Sequence, residues 1–129
     1  MVLADDHDSL RRNLRRVLEG EEDVEVVGEA KDLESAARET RRHRPDVLVL
    51  GLRVPGGSGL DGIGRLREQS PNTEIVIISM HENEMYARQA FEAGAIAFVL
   101  KDSADVELAP AVRSAARGVQ YASPRLRRS

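Results

Sequence analysis

Polar side chains follow several short apolar runs in this sequence, and their types suit phosphate and metal chemistry. Asp5 and Asp6 follow the first run, Ser79 follows the fourth and Lys101 follows the fifth. Paired carboxylates bind a hard divalent cation such as Mg²⁺ through oxygen. A lysine ammonium and a hydroxyl can donate hydrogen bonds to phosphoryl oxygens. These residue types therefore predict a metal and phosphoryl pocket, provided that the fold brings them together.

The third apolar run, residues 46–50, is followed by Gly51. A carboxylate at this position would face the metal and could accept a phosphoryl group as an acyl phosphate. Glycine has no nucleophile and no side-chain ligand. The predicted pocket therefore lacks a nucleophile at its central position.

The pocket requires that the apolar runs lie side by side in one sheet. They cover residues 1–4, 24–27, 46–50, 75–78 and 96–100, and longer amphipathic stretches separate them. This alternation predicts five strands and five helices, with the strands in a parallel sheet and helices on both faces. The predicted fold class is α/β. Ligands of such sheets bind beyond the carboxyl ends of the strands, which is where the polar residues fall.

Length and composition restrict the classes of function. The 129 residues are enough for one domain, and the absence of cysteine excludes disulfides and thiolate metal sites. A net charge of −3 and 3% aromatic residues argue against direct binding of nucleic acid. No apolar run approaches the roughly 20 residues of a membrane span, and the N-terminus does not resemble a signal peptide, so we expect a cytoplasmic protein.

The histidines at positions 7, 43 and 81 lack metal-site spacing, and we expect them at the surface or in loops.

Five segments together resemble one protein family. They are residues 4–7 (ADDH), 44–50 (RPDVLVL), 52–56 (LRVPG), 78–81 (ISMH) and 94–102 (GAIAFVLKD). Their types and order resemble the receiver domain of response regulators, in particular the kind at the N-terminus of NarL/FixJ (LuxR-type) transcription regulators. The resemblance covers essentially the whole chain. It implies a flavodoxin-like fold with strand order 2-1-3-4-5, and a regulatory module of two-component signalling that is not an enzyme.

The resemblance also implies roles for individual residues. The family carries its phospho-accepting aspartate where this chain has Gly51, so the usual acceptor is lost. By resemblance, Asp5, Asp6 and the backbone carbonyl of Arg53 match the Mg²⁺ ligands, and we expect weak binding because one carboxylate is missing. The switch hydroxyl, the aromatic switch residue and the phosphate-binding lysine match Ser79, Phe98 and Lys101.

Domain limits and partners follow from the same resemblance. Residues 1–119 are expected to form the receiver domain, and residues 120–129 to begin a linker to an output domain absent from this sequence. The resemblance implies contact with an output domain or partner protein through helix 4, strand 5 and helix 5, and it allows a homodimer. A histidine kinase would phosphorylate a parent that carries the acceptor. Two explanations stay open: Gly51 is native and the domain is a pseudo-receiver, or it is a substitution that makes a variant non-phosphorylatable.

A rival prediction is a small nucleotide- or metabolite-binding α/β protein, because one fold can carry many functions. Gly57, Gly59 and Gly62 match the spacing of a dinucleotide fingerprint. These glycines do not follow the strand directly, since residues 52–56 intervene. The spacing is therefore weak support for this alternative.

Overall fold

The computed structural model describes residues 1–51, 59–80 and 84–127. In this part of the chain, six strands form one parallel sheet in the order β2-β1-β3-β4-β5-β6. The α/β class and the predicted order 2-1-3-4-5 are confirmed, with one further strand at the edge. The strands are β1 Val2–Ala4, β2 Gly28–Ala30, β3 Val47–Gly51, β4 Glu74–Ser79, β5 Ala97–Leu100 and β6 Tyr121–Ala122.

Helices cover both faces of the sheet. They are α1 Asp8–Glu19, α2 Leu33–His43, α3 Gly59–Gln69, α4 Glu84–Ala93, α5 Ala104–Ala116 and the short α6 Pro124–Arg127, with a 3₁₀ turn at Lys101–Ser103. Apolar side chains of α1 and α5 pack on one face of the sheet, and those of α2, α3 and α4 pack on the other. None of the helices in the described ranges is long and apolar enough to cross a lipid bilayer.

The central strands explain why the sheet is buried on both faces. Every residue of β3 is buried, as is each residue of β4 after Glu74. Continuous apolar runs of this kind are typical of parallel strands that have helices on both sides. Local residues determine where two of the helices begin and end. Asp32 caps the N-terminus of α2 by accepting a hydrogen bond from the Ser35 amide, and Gly94 ends α4 with a φ of 119°.

The position of the second strand was predicted wrongly. The valines at positions 24, 26 and 27 suggested a strand that Gly28 would end, whereas β2 begins at Gly28. Its ladder pairs Val2 with Gly28 and Ala4 with Ala30. Pairing with the three-residue β1 therefore decides where β2 lies, and Val26 is buried just before the strand.

The sheet also contains one strand more than the five predicted, because Tyr121–Ala122 forms β6 along the edge of β5. The Tyr121 amide donates to the Ile96 carbonyl at 3.1 Å, and the Ser123 amide donates to the Phe98 carbonyl at 3.0 Å. The buried Ser123 hydroxyl accepts the Leu100 amide at 3.0 Å. Tyr121 and Ser123 thus supply hydrogen-bond partners for the backbone groups at the edge of β5. The relation of residues 120–129 to a following output domain stays a prediction.

We predict that Ser123→Ala lowers the free energy of unfolding by about 1–2 kcal/mol, because the buried Leu100 amide loses its acceptor. Urea denaturation measures this change. Ser103→Ala is the matched control, since the partly buried Ser103 hydroxyl also contacts Leu100, at 3.4 Å from its carbonyl. The control should change stability by less than about 0.5 kcal/mol. Equal losses in the two variants would contradict the assigned role of Ser123.

Candidate functional site

The strand register brings four of the predicted site residues to one edge of the sheet. Ala4 pairs with Leu50, so Asp5 lies beside Gly51, the last residue of β3. Gly51 in turn pairs with Ile78, and the next residue of β4, Ser79, pairs with Leu100. Lys101 follows Leu100 directly. The carboxyl ends of β1, β3, β4 and β5 therefore meet where the sequence predicted the pocket.

Asp5 is the most enclosed charged group of this edge. Its residue is fully buried, its amide donates to the Ala30 carbonyl at 3.0 Å, and its Oδ1 accepts the His7 amide at 2.8 Å. Its Oδ2 lies 2.9 Å from Lys101 Nζ as an ion pair, and accepts no directed hydrogen bond from the described residues. A buried carboxylate oxygen with a remaining lone pair is suited to a further cationic partner.

Lys101 provides the counter-charge of Asp5. Its side chain is 13% exposed and that of Asp5 is 1% exposed, so the pair is shielded from solvent. The lysine stands at the first position of the 3₁₀ turn that connects β5 to α5.

Asp6 and His7 extend the acidic cluster toward solvent. His7 Nδ1 lies 3.4 Å from Asp5 Oδ1 and 3.5 Å from Asp6 Oδ1. One ligand atom from each of the three residues can be chosen so that all lie within 4.8 Å of one another. Two carboxylates, one with an oxygen that accepts no directed hydrogen bond from the part of the chain that is described, fit a hard divalent cation such as Mg²⁺. The loop position expected for His7 is confirmed, but its closeness to both carboxylates was not anticipated.

Phe98 lies deeper in the sheet than the polar residues. It is fully buried in β5 and pairs with Ile77 on one side and Ala122 on the other. Its side chain belongs to the apolar cluster of the α2, α3 and α4 face, which also contains Leu126 of α6. The aromatic ring is therefore enclosed in this structure.

Arg11 and Glu29 were not singled out from the sequence. Arg11 Nη1 donates to the Asp5 carbonyl at 2.6 Å, and its Nε donates to Glu29 Oε1 at 3.0 Å. Arg15 also pairs with Glu29. The arginines at positions 11, 12, 15 and 16 look in sequence like one solvated helix face. The only sequence signal that distinguishes Arg11 from the other three arginines is its position in the first turn of α1, shortly after Asp5 and Asp6.

The two arginines affect the ionisation of Glu29. Partial burial alone would raise the pKa of Glu29, but hydrogen bonds from Arg15 and Arg11 outweigh it and hold the pKa below its usual value of 4.5. A carboxyl with a depressed pKa in the folded state stabilises the fold above its unfolded pKa. This contribution is lost as the pH falls through the lower, folded pKa.

We predict that Glu29→Gln lowers stability at pH 7 by about 0.5–1 kcal/mol. The difference from the unsubstituted chain should shrink as the pH falls below the usual pKa of 4.5, because unfolded Glu29 gains its proton first, and it should disappear below the lower, folded pKa, where folded Glu29 is protonated as well. Urea denaturation between pH 3 and pH 7 measures it. Glu19→Gln is the control, since Glu19 is half exposed and, of the two arginines, contacts only Arg15. A pH-independent difference for Glu29→Gln would contradict this explanation.

Some predicted positions lie outside the described residues. These include Arg53, His81 and Gly57, so the proposed carbonyl ligand and the start of the glycine fingerprint are not described. Gly62, the last glycine of that fingerprint, lies inside α3. A Cβ there would stand 2.7 Å from Leu33 Cδ2, so Gly62 permits close packing of α3 on α2. This packing explains Gly62 without a bound nucleotide.

Comparison with known proteins agrees with this architecture. The family model described as "Response regulator receiver domain" matches residues 1–113. The oxygen regulatory protein NreC of Staphylococcus epidermidis is 39% identical over 127 residues, which are 98% of this chain and 58% of that protein. The chain thus spans a little over half the length of such curated relatives.

Solved structures give the same result. A two-component response regulator of the LuxR family from Aurantimonas sp. superposes with a TM-score of 0.93 at 35% identity, covering 98% of this chain and 91% of that one. The signal receiver domain of the response regulator NarL from Mycobacterium tuberculosis has a TM-score of 0.85 at 37% identity, covering 91% and 94%. This chain therefore belongs to the response regulator receiver family and is a receiver domain of the NarL/LuxR type.

Proposed function

We propose that this chain is the N-terminal regulatory domain of a LuxR-type transcription regulator, with Gly51 at the position of the phospho-accepting aspartate. One observation carries the proposal. Gly51 ends the buried central strand β3 beside Asp5, whose Oδ2 forms an ion pair with Lys101. The residues proposed to bind metal and phosphate thus share a sheet edge with a residue that has no side chain.

The chemical consequence is the same whether Gly51 is native or a substitution. Aspartyl phosphate forms when a carboxylate oxygen attacks phosphorus, and glycine has no such oxygen. As a pseudo-receiver, the domain would hold one state or respond to a signal other than phosphate. As a variant, it would be a non-phosphorylatable form of a parent that accepts phosphate from a histidine kinase.

The acidic cluster is the proposed metal site. Receiver domains commonly bind Mg²⁺ at their phosphorylation site. Here Asp5 and Asp6 would supply carboxylate oxygens and Arg53 a backbone carbonyl. Affinity should be low, because the third carboxylate is replaced by Gly51 and Lys101 already neutralises Asp5. A bound Mg²⁺ would neutralise charge on phosphoryl oxygens.

Ser79, Phe98 and Lys101 are the proposed switch residues. Ser79 is buried at the end of β4, where its hydroxyl can meet a phosphoryl oxygen. Phe98 is enclosed, as an aromatic switch residue in its inward position would be. With Gly51 in place, the main role of Lys101 is to compensate the charge of Asp5.

The proposed output is contact with protein. Receiver domains and NarL-type regulators are generally non-enzymatic, and this domain is proposed to act on an output domain or partner through α4, β5 and α5. The presence of β6 at the edge of β5 makes the C-terminal segment part of that region. A homodimer through this region is also compatible with the proposal, whereas direct contact with nucleic acid is left to the output domain.

Incubation with acetyl phosphate and Mg²⁺, followed by intact mass measurement, tests the proposal. The chain with Gly51 should show no gain in mass, and Gly51→Asp should gain one phosphoryl group. If the chain with Gly51 is phosphorylated, another acceptor such as Asp6 is in use and the assigned loss of function is wrong. If Gly51→Asp stays unmodified, the pocket itself has been assigned wrongly.

A further inference from the structure

The guanidinium of Arg11 contacts three separate parts of the fold. Its Nη1 donates to the Asp5 carbonyl at 2.6 Å, its Nε to Glu29 Oε1 at 3.0 Å and its Nη2 to Asp8 Oδ1 at 2.8 Å. The side chain is only 15% exposed. Arg11 therefore connects the end of β1 with β2 and with the first turn of α1.

The contact with Asp5 is made to the backbone and not to the carboxylate. The Asp5 amide is already bound to the Ala30 carbonyl, so Arg11 completes the hydrogen bonding of the Asp5 main chain. The Asp5 carbonyl belongs to the peptide that leads into Asp6. Fixing this peptide fixes the direction in which both acidic side chains leave the backbone, and preorganised ligands bind a cation at lower entropic cost.

Arg15 provides a natural comparison. It pairs with Glu29 as Arg11 does and carries the same charge, but its described contacts are with Glu19 and Glu29. Simple electrostatics predicts that removal of either arginine would favour a cation at the acidic cluster. If Arg11 positions the acidic ligands, its removal should instead weaken cation binding, and removal of Arg15 should not.

We propose that Arg11 is a positioning residue that holds the Asp5–Asp6 peptide in the geometry that a divalent cation requires. The inference rests on the proposed metal site. It assigns to Arg11 a function that its charge would oppose, and it makes Glu29 and Asp8 the groups that orient the guanidinium.

Amide hydrogen exchange of the metal-free protein tests the positioning directly. In Arg11→Gln, the His7 amide, which donates to Asp5 Oδ1, should exchange at least about tenfold faster than in Arg15→Gln. Amides of β4 serve as the internal reference for any change in global stability. Arg11→Lys retains a donor for one acceptor, so its His7 amide should exchange at a rate between those of the two glutamine variants. Equal exchange at His7 in Arg11→Gln and Arg15→Gln would overturn the proposal.

Titration of the same variants with Mg²⁺ by calorimetry tests the consequence for the metal. Arg11→Gln should bind Mg²⁺ about tenfold more weakly than the unsubstituted chain, and the affinity of Arg15→Gln should stay within about twofold of it. Tighter binding by Arg11→Gln would show that only charge matters and would overturn the proposal. If the unsubstituted chain binds no Mg²⁺, the proposed metal site fails, while the hydrogen-exchange result still decides the role of Arg11.

Discussion

Lys101→Met is expected to lower the free energy of unfolding by about 3–5 kcal/mol, because it leaves a buried carboxylate without its counter-charge. Lys101 Nζ lies 2.9 Å from Asp5 Oδ2, and the two side chains are 13% and 1% exposed. Methionine preserves the length and much of the packing of the lysine stem. The loss should therefore come from the uncompensated charge and not from a cavity. Urea denaturation at neutral pH measures it.

A double-mutant cycle separates this cause from general damage to the fold. Asp5→Asn removes the buried charge, so the double variant with Asp5→Asn and Lys101→Met should recover most of the stability lost by Lys101→Met alone. Lys101→Arg keeps a cation and should cost less than Lys101→Met. If the single and double variants are equally unstable, the ion pair is not the reason that Lys101 stabilises the fold.

Gly51→Asp is expected to gain both phosphoryl uptake and metal affinity. An aspartate oxygen at position 51 can attack the phosphorus of acetyl phosphate, and acetate leaves as the acyl phosphate forms. A third carboxylate beside Asp5 and Asp6 should tighten Mg²⁺ binding at least about tenfold. Gly51 lies in strand β3, and the described glycines with positive φ are Gly94 and Gly118, so the backbone can accept a side chain there.

The matched control for this result is Gly51→Asn, which has nearly the same shape but no carboxylate. It should gain neither a phosphoryl group in the intact mass nor the stronger Mg²⁺ binding seen by calorimetry. The modification of Gly51→Asp should also be removed by hydroxylamine, as expected for an acyl phosphate. Equal uptake by the aspartate and asparagine variants would place the acceptor elsewhere in the chain.

The sequence was sufficient for the central part of the fold because β3 and β4 are continuous apolar runs between amphipathic helices. It was misleading for β2, where three valines precede a strand made of Gly28, Glu29 and Ala30. The two-residue β6 was missed altogether. Both short strands exist through pairing with a neighbour, which composition and periodicity over a few residues do not reveal.

A similar limit applies to the site. Asp5, Ser79 and Lys101 could be predicted because each comes directly after an apolar run, and Asp6 because it stands next to Asp5. Their roles in metal and phosphate binding stay proposals. The role of Arg11 could not be seen, since its acceptors lie on β1 and β2 and the sequence shows only one of several arginines on α1. Long-range hydrogen bonds of this kind depend on how elements pack.

The sixth strand has a practical consequence for anyone who shortens this protein. A fragment that ends at residue 119, the boundary suggested by the sequence, would lack the groups that pair with the main chain of Ile96, Phe98 and Leu100. Unpaired edges recruit strands from other molecules and promote aggregation. Oligomers of such a fragment would then be an artefact of truncation, and they would reveal nothing about dimerisation in signalling.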